Sequence, residues 1–345
     1  MTERSKILLI YTGGTIGMVQ DHISGKLYPF GFDTLLENIP ELKRFEVDID
    51  TTQLSRIIDS SDMEPALWTE LLEVIRGVYE DYDGFVILHG TDTLAYTSAA
   101  LSFMIQDLDK PIILTGSQLP IGTIRTDGKE NLITAIEIAS SKEGGKALVP
   151  EVAVYFEYTL LRGCRVTKYS AEHFDAFHSP NYPELAEAGI QITYNDPYIR
   201  KTGNEPVRFS EFMDSRIAIL KLFPGITEEH VRYILASGVR GMIMETYGAG
   251  NGPSAEWFIT ALKEAIDRGM VIFNVSQCLA GSVQHGRYAT SSRFEDIGVV
   301  SGRDICFEAA ITKMMYALGQ SPQREVVEAI LSIPLAGEMM VDTDI

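Results

Sequence analysis

Apolar residues fall along this chain in two alternating rhythms. Short continuous runs such as Ile7-Leu8-Leu9-Ile10-Tyr11, Phe85-Val86-Ile87-Leu88, Ile112-Ile113-Leu114 and Val152 to Phe156 read as strands buried on both faces. Between them apolar positions recur at helical spacing. The clearest case is Pro65 to Tyr82, where Leu67, Trp68, Leu71, Leu72, Ile75, Val78, Tyr79 and Tyr82 share one stripe. Asp62, Glu64 and Pro65 suit its N-terminus, where carboxylates meet the helix dipole and proline gives up no needed donor. Further helices are predicted over 93–107 and up to Ser140, the latter capped by Thr126 or Asp127. Residues 46–52 give a weaker second strand. Strands separated by helices predict a parallel sheet covered on both faces.

The rhythm fails over 191–212, where Asn195-Asp196-Pro197 and Lys201-Thr202-Gly203-Asn204-Glu205-Pro206 are turn-rich. It resumes with strands at 216–221, 241–245 and 270–275 and helices at 227–237, 254–268, 304–318 and 322–332. The expected architecture is α/β: an N-terminal parallel-sheet domain over 1–190, a linker over 191–212, and a smaller α/β domain over 213–345.

Polar turns follow the predicted strands of the first domain: Thr12-Gly13-Gly14-Thr15, Asp59-Ser60-Ser61-Asp62, His89-Gly90-Thr91-Asp92-Thr93, Thr115-Gly116-Ser117-Gln118, and Arg162 to Lys168. In an open parallel sheet these turns share one edge, the edge where ligands bind. Each turn has a plainer reading. Thr15 is a nucleophile if a base takes its proton and glycine N–H groups meet an oxyanion; otherwise TGGT is a tight turn or an anion loop. It lacks the lysine of a P-loop and the G-x-G-x-x-G pattern. Thr91, Asp92 and Lys168 are a proton-handling unit or a structural ion pair beside a helix cap. Asp92 also suits a substrate ammonium. Asp62 reads as a cap, whereas Ser60 and Ser61 suit a cap or a bound carboxylate equally. His173, Asp175 and His178 fit a polar loop better than a metal site, and His89 is expected to orient its loop.

Composition narrows the function classes. The chain has 345 residues, 45% of them hydrophobic, and a formal charge of −19. That charge argues against nucleic acid or an anionic membrane as partner, and no run is long enough to span a bilayer. The first strand begins near Lys6, leaving no room for a signal peptide. Cys164, Cys278 and Cys306 are odd in number and far apart, as in a reducing cytosol.

Taken together, YTGGTIGM, DSSDM, DYDGFVILHGTDT, TGSQLP, RTDG, the RGCRVTK segment and YGAGN resemble the bacterial asparaginase family, and most closely its cytoplasmic type I L-asparaginases. The resemblance covers nearly the whole chain. It implies hydrolysis of L-asparagine to L-aspartate and ammonia through an acyl-enzyme, without a cofactor or metal, with weaker turnover of glutamine. By motif, Thr15 is the nucleophile on a mobile lid, assisted by Tyr28. Ser60 and Ser61, with Gly14, surround the substrate. Thr91, Asp92 and Lys168 form a second triad, and Asp92 holds the α-amino group. The resemblance also implies a homo-oligomer, a tetramer built as a dimer of dimers, in the cytoplasm.

Two departures stand out. Some type I members bind a second asparagine beside an arginine; Glu245 takes that place here. The corresponding second site would involve Thr167, Glu245, Asn251 and Cys278, and a carboxylate there predicts no activation by asparagine. The acidic residue that secreted type II enzymes send across their interface has no clear counterpart. Alternatives are the ammonia-releasing subunit of a tRNA amidotransferase, which usually carries an extra N-terminal domain, and a non-catalytic amino-acid-binding protein on the same fold.

Overall fold

The computed structural model describes residues 4–20, 27–29, 39–44, 46–286 and 289–340. The chain forms two compact units, Met1–Glu211 and Phe212–Ile345.

The first unit is built on an eight-stranded sheet. In chain order its strands are β1 (Ser5–Gly13), β2 (Val47–Ile58), β3 (Gly84–Leu88), β4 (Ile112–Thr115), β5 (Val152–Phe156), β6 (Thr159–Arg162), β7 (Ala186–Ala188) and β8 (Ile192–Tyr194), arranged β8-β7-β6-β5-β4-β3-β1-β2. From β2 to β5 neighbours are parallel. Because β2 lies on one side of β1 and β3 on the other, strand order reverses at β1, which opens a crevice beyond the carboxyl ends of β1 and β3. Register levels those ends: Tyr11 pairs with Leu88, and Leu88 with Thr115.

Among the described residues, three helices cover the sheet: α1 (Pro65–Val78), α2 (Leu94–Met104) and α3 (Gly128–Ser140). α1 buries Leu67, Trp68, Leu71, Leu72 and Ile75, the stripe read from its periodicity. Each such side chain contributes about 1.5–3 kcal/mol of burial free energy. α2 is buried all round, and its alanines and serines let neighbouring backbone approach closely. The Trp68 indole donates to Thr97 Oγ1 at 3.0 Å, tying α1 to α2.

The structure departs from expectation at three places. β2 runs to Ile58, well past residue 52, so Asp59-Ser60-Ser61-Asp62 follows it directly. The chain after β5 does not stay parallel: it reverses through Glu157 and Tyr158, both at positive φ (41° and 71°), and β6 returns antiparallel. Such a tight reversal normally carries asparagine or glycine, so this turn has no sequence signal. Finally, the expected linker begins with β8, which belongs to the sheet, and Arg208–Phe209 pairs with Ile105–Gln106. Residues 191–211 thus lie within the first unit.

The second unit carries a parallel sheet in the order β9 (Ile217–Lys221), β10 (Gly241–Thr246), β11 (Val271–Ser276), β12 (Val300–Ser301). Its helices are α4 (Glu228–Leu235), α5 (Glu256–Asp267), α6 (Ala289–Asp296), α7 (Phe307–Gln320) and α8 (Arg324–Ser332). Thr227 caps α4 by accepting from His230 N. Lys313 on α7 and Glu338 are both fully buried and pair at 2.7 Å. Burial alone would raise the Glu338 pKa, but the Lys313 ammonium and the surrounding backbone donors hold it below the usual carboxylate range.

Candidate active site

The strand-end turns of the first unit converge backbone to backbone. After β1 the chain enters a short 3-10 turn, Thr15–Gly17, preceded by Gly14 at φ 89°. A side chain on Gly14 would run into the backbone of Gly90, and one on Gly90 into Ser60. Glycine is therefore required by close approach as well as by conformation. Thr12 Oγ1 donates to Leu88 O at 3.0 Å, and Thr93 Oγ1 to Ser60 O at 2.6 Å. The turns after β1, β2 and β3 thus form one floor.

Ser60 is buried and Ser61 exposed within the turn Ser60–Asp62. The capping residue is Asp59, whose carboxylate accepts from Ser61 N and Ser61 Oγ, each at 2.9 Å. Asp62 does not cap α1: Glu64 holds the N-cap position and makes no side-chain cap bond. The helix-cap reading of Thr91 also fails, because Thr93 holds that position for α2 and spends its hydroxyl on Ser60.

Thr91 instead meets Lys168. Lys168 Nζ donates to Thr91 Oγ1 at 2.9 Å and to Asp92 Oδ1 at 2.7 Å. Because β6 runs antiparallel, Lys168 does not arrive from a fifth parallel strand. The chain leaves β6 through a 3-10 turn, Gly163–Arg165, whose Gly163 carbonyl accepts from Ser98 on α2, and then returns to pair Thr167–Lys168 with Phe177–His178. Thr91 is buried, while the Asp92 side chain is 65% exposed and Lys168 17%. The ammonium thus sits between a sheltered hydroxyl and a carboxylate open to an incoming amino group.

Thr15 is half-buried, and among the described residues its hydroxyl has no hydrogen-bond partner. Tyr28 pairs with Val19 through its backbone; its side chain lies outside the described residues.

His89 is buried completely. Its Nδ1 lies 2.7 Å from the Gly90 carbonyl and its Nε2 2.9 Å from Thr97 Oγ1. The carbonyl only accepts, so Nδ1 carries the hydrogen; Thr97 then donates to Nε2 and accepts from Trp68. Burial lowers the His89 pKa to about 4, leaving the ring neutral at pH 7. It pins the residue before Thr91 and performs no acid–base work.

Gln118 and Asp127 join the site without a sequence pattern that assigns them to it. Gln118 links Thr91 to the loop at His173, and Asp127 holds the Gln118 backbone. Their signals are an amide in a strand-end turn and a carboxylate at the start of α3, neither of which announces a role alone. His173 lies 3.7 Å from Asp175, and His178 stacks on Tyr169.

Of the expected second-site residues, Thr167 is buried in the first unit and the other three are in the second. Glu245, on β10, is buried and pairs with Lys221 at 3.2 Å. Asn251 closes a turn with Tyr247, and Cys278 is exposed. Arg240 donates to Asp214, Leu318 O and Ser321 O at the opposite end of β10.

Residues 6–200 match the family described as asparaginase, N-terminal, and residues 216–331 match the glutaminase/asparaginase C-terminal domain. The chain is 40% identical to L-asparaginase 1 of Escherichia coli K12, with 99% of each chain covered. It is 33% identical to one subunit of the glutamyl-tRNA(Gln) amidotransferase of Pyrococcus horikoshii, covering 96% of this chain and 76% of that protein. The crystal structure of L-asparaginase I from Vibrio cholerae superimposes with a TM-score of 0.89 at 38% identity, covering 98% of this chain and 100% of that one.

Proposed function

The chain belongs to the asparaginase family, and from that premise we infer that it is an L-asparaginase, hydrolysing L-asparagine to L-aspartate and ammonia. The observation that carries the reading of the site is Lys168, within hydrogen-bond distance of both Thr91 and Asp92, in the turn whose Gly90 packs against Gly14. At 33% identity the amidotransferase relative is more distant than L-asparaginase 1 at 40%, and a binding-only role leaves a lysine–threonine relay without work.

In the proposed reaction Thr15 Oγ1 attacks the side-chain amide carbon. Its proton passes into the site, the carbonyl oxygen draws on backbone N–H groups near Gly14, and the C–N bond breaks as the leaving nitrogen takes a proton and departs as ammonia. The Lys168 ammonium gives a proton through Thr91 to the leaving nitrogen and is recharged by the proton that leaves Thr15. Water then cleaves the aspartyl ester and frees Thr15. Ser60 and Ser61, at the start of a short 3-10 turn, receive the α-carboxylate, and Asp92 receives the α-ammonium. Tyr28 assists Thr15 from the lid. The active assembly is a homo-tetramer in the cytoplasm, and three free cysteines suit that compartment.

Glu245 offers a carboxylate where an effector carboxylate would need a cation. The cation paired with it, Lys221, is largely exposed, so activation by a second asparagine is not expected.

Ammonia release from asparagine and from glutamine by the purified chain tests the reading. We expect a higher kcat/KM for asparagine; discrimination over one methylene is typically ~1–3 kcal/mol, so some glutamine turnover persists. Equal or greater kcat/KM for glutamine would reject the substrate assignment.

A further inference from the structure

The hydroxyl of Thr91 carries one hydrogen, and its surroundings fix where that hydrogen points. Gln118 Nε2 donates to the His173 carbonyl at 2.9 Å. A carbonyl only accepts, so the Gln118 amide presents Nε2 to His173 and Oε1 to Thr91. Oε1 also only accepts, and it lies 3.3 Å from Thr91 Oγ1. The Thr91 hydrogen is therefore directed at Gln118, and Lys168, at 2.9 Å, donates to Thr91. The bonds run one way, from Lys168 through Thr91 and Gln118 to His173.

Gln118 is itself held by its backbone. The buried carboxylate of Asp127 accepts from Gln118 N at 2.8 Å and Leu119 N at 3.1 Å. One turn along α3, buried Asn131 donates to Gly116 O at 3.0 Å and accepts from Glu157 N at 3.1 Å, bracing the same loop against the tight turn after β5. Asp127 occupies the N-cap position of α3 yet makes no cap bond with its side chain; the carboxylate faces the loop instead.

We propose that Gln118 is a positioning residue for the hydrolysis, setting the direction of the Thr91 hydroxyl, and that Asp127 holds Gln118 in place for that role. The proposal rests on the reading of Thr91 as a proton-handling residue. In the resting order Lys168 donates to Thr91 while Gln118 holds the Thr91 hydrogen; protonating a leaving amine needs that hydrogen to turn from Gln118 to the substrate while Lys168 still donates. Accepting a proton requires the reverse order, with Thr91 turned from Gln118 toward Lys168. By accepting the Thr91 hydrogen, Gln118 keeps Thr91 an acceptor toward Lys168, the order from which delivery starts.

Gln118→Met keeps the length of the side chain and removes both polar bonds. We expect kcat to fall about three- to tenfold, the range for one neutral hydrogen bond, with KM for asparagine within about twofold and the unfolding midpoint unchanged. Gln118→Glu keeps an acceptor for Thr91 and should be less impaired. Asp127→Asn should lower kcat by acting through Gln118, so combining it with Gln118→Met should add no further loss. Wild-type kcat in Gln118→Met, a loss confined to KM, or additive losses in the double variant would each overturn the proposal. If Asp127→Asn does not fold, the Gln118 variants still decide the role of Gln118. Thr91→Val separates the two levels: if it retains turnover, the underlying reading of the site fails; if it is inactive while Gln118→Met is normal, only the role of Gln118 fails.

Discussion

Lys168 and Lys313 each pair with a carboxylate at 2.7 Å, and the two pairs are built for opposite ends. Lys313 and Glu338 are both 0% exposed. Beyond Glu338, Lys313 donates to Leu331 O and Ile333 O, while Glu338 accepts from Leu335 N and Ala336 N. Every strong donor of that ammonium is used, so the pair can only hold the chain after α8 against α7. Lys168 donates to Thr91 and Asp92, and among the described residues its third N–H has no partner. Its carboxylate faces solvent. An ion pair whose partners leave a donor and an acceptor open is free to take part in proton transfer; a saturated one is structure.

A double dissociation between the two lysines is expected. The largest effects belong to the open site. Thr15→Ala should lower kcat by on the order of 10³-fold or more, and Thr91→Val and Lys168→Met should do comparable damage without additivity, because residues of one catalytic unit fail together. Thermal unfolding of all three should match the parent. Steady-state rates alongside calorimetry check both halves; a stable, active Lys168→Met would dissolve the distinction between the two lysines.

At the closed pair the signs exchange. Lys313→Met leaves Glu338 buried without its counter-charge, a loss of about 3–5 kcal/mol in stability. Activity per folded molecule should be retained, as denaturant titration combined with assays below the midpoint would show. Glu338 has a depressed folded pKa. Its contribution is therefore present above the unfolded glutamate pKa and lost as pH falls toward the folded value.

His89 gives a second acid response, in the active unit. Its folded pKa, about 4, lies below the unfolded value of 6.5. Stability is full above pH 6.5 and declines as pH falls toward 4, by about 3 kcal/mol in all. His89→Gln should flatten that part of the stability-versus-pH curve while leaving the neutral-pH rate profile without a histidine titration to lose. An unchanged curve would show that the ring accepts a proton readily in the fold.

The smallest expected effect is on cooperativity. Rates over a wide asparagine range should be hyperbolic, with a Hill coefficient of about one, since coupling requires an effector that prefers one state. A sigmoidal curve abolished by changes at Glu245 and Asn251 would reverse this.

How legible these features are in the sequence depends on what each part needs. Buried parallel strands are continuous apolar runs, so β1, β3, β4 and β5 and the turns behind them stand out. The reversal at Glu157 and Tyr158 does not, because neither residue advertises positive φ. The sheet strand β8 is hidden in a turn-rich stretch for a related reason: three residues cannot establish a period. Thr15, Thr91 and Asp92 are visible as hydroxyls and carboxylate at strand ends. Lys168 is harder, since it reaches Thr91 only after an antiparallel strand and a 3-10 turn carry the chain back. Gln118 and Asp127 act through hydrogen-bond direction, which no spacing rule encodes.

Thr15 carries the acyl group in the proposed reaction, while Thr91 and Lys168 move protons. Acid quenching during turnover of asparagine, followed by peptide mass spectrometry, tests this division of labour most directly. The expected product is an aspartyl ester on the peptide containing Thr15, absent from Thr15→Ala and still on Thr15 when Thr91→Val slows its hydrolysis. An ester on Thr91, or full turnover by Thr15→Ala, would contradict it.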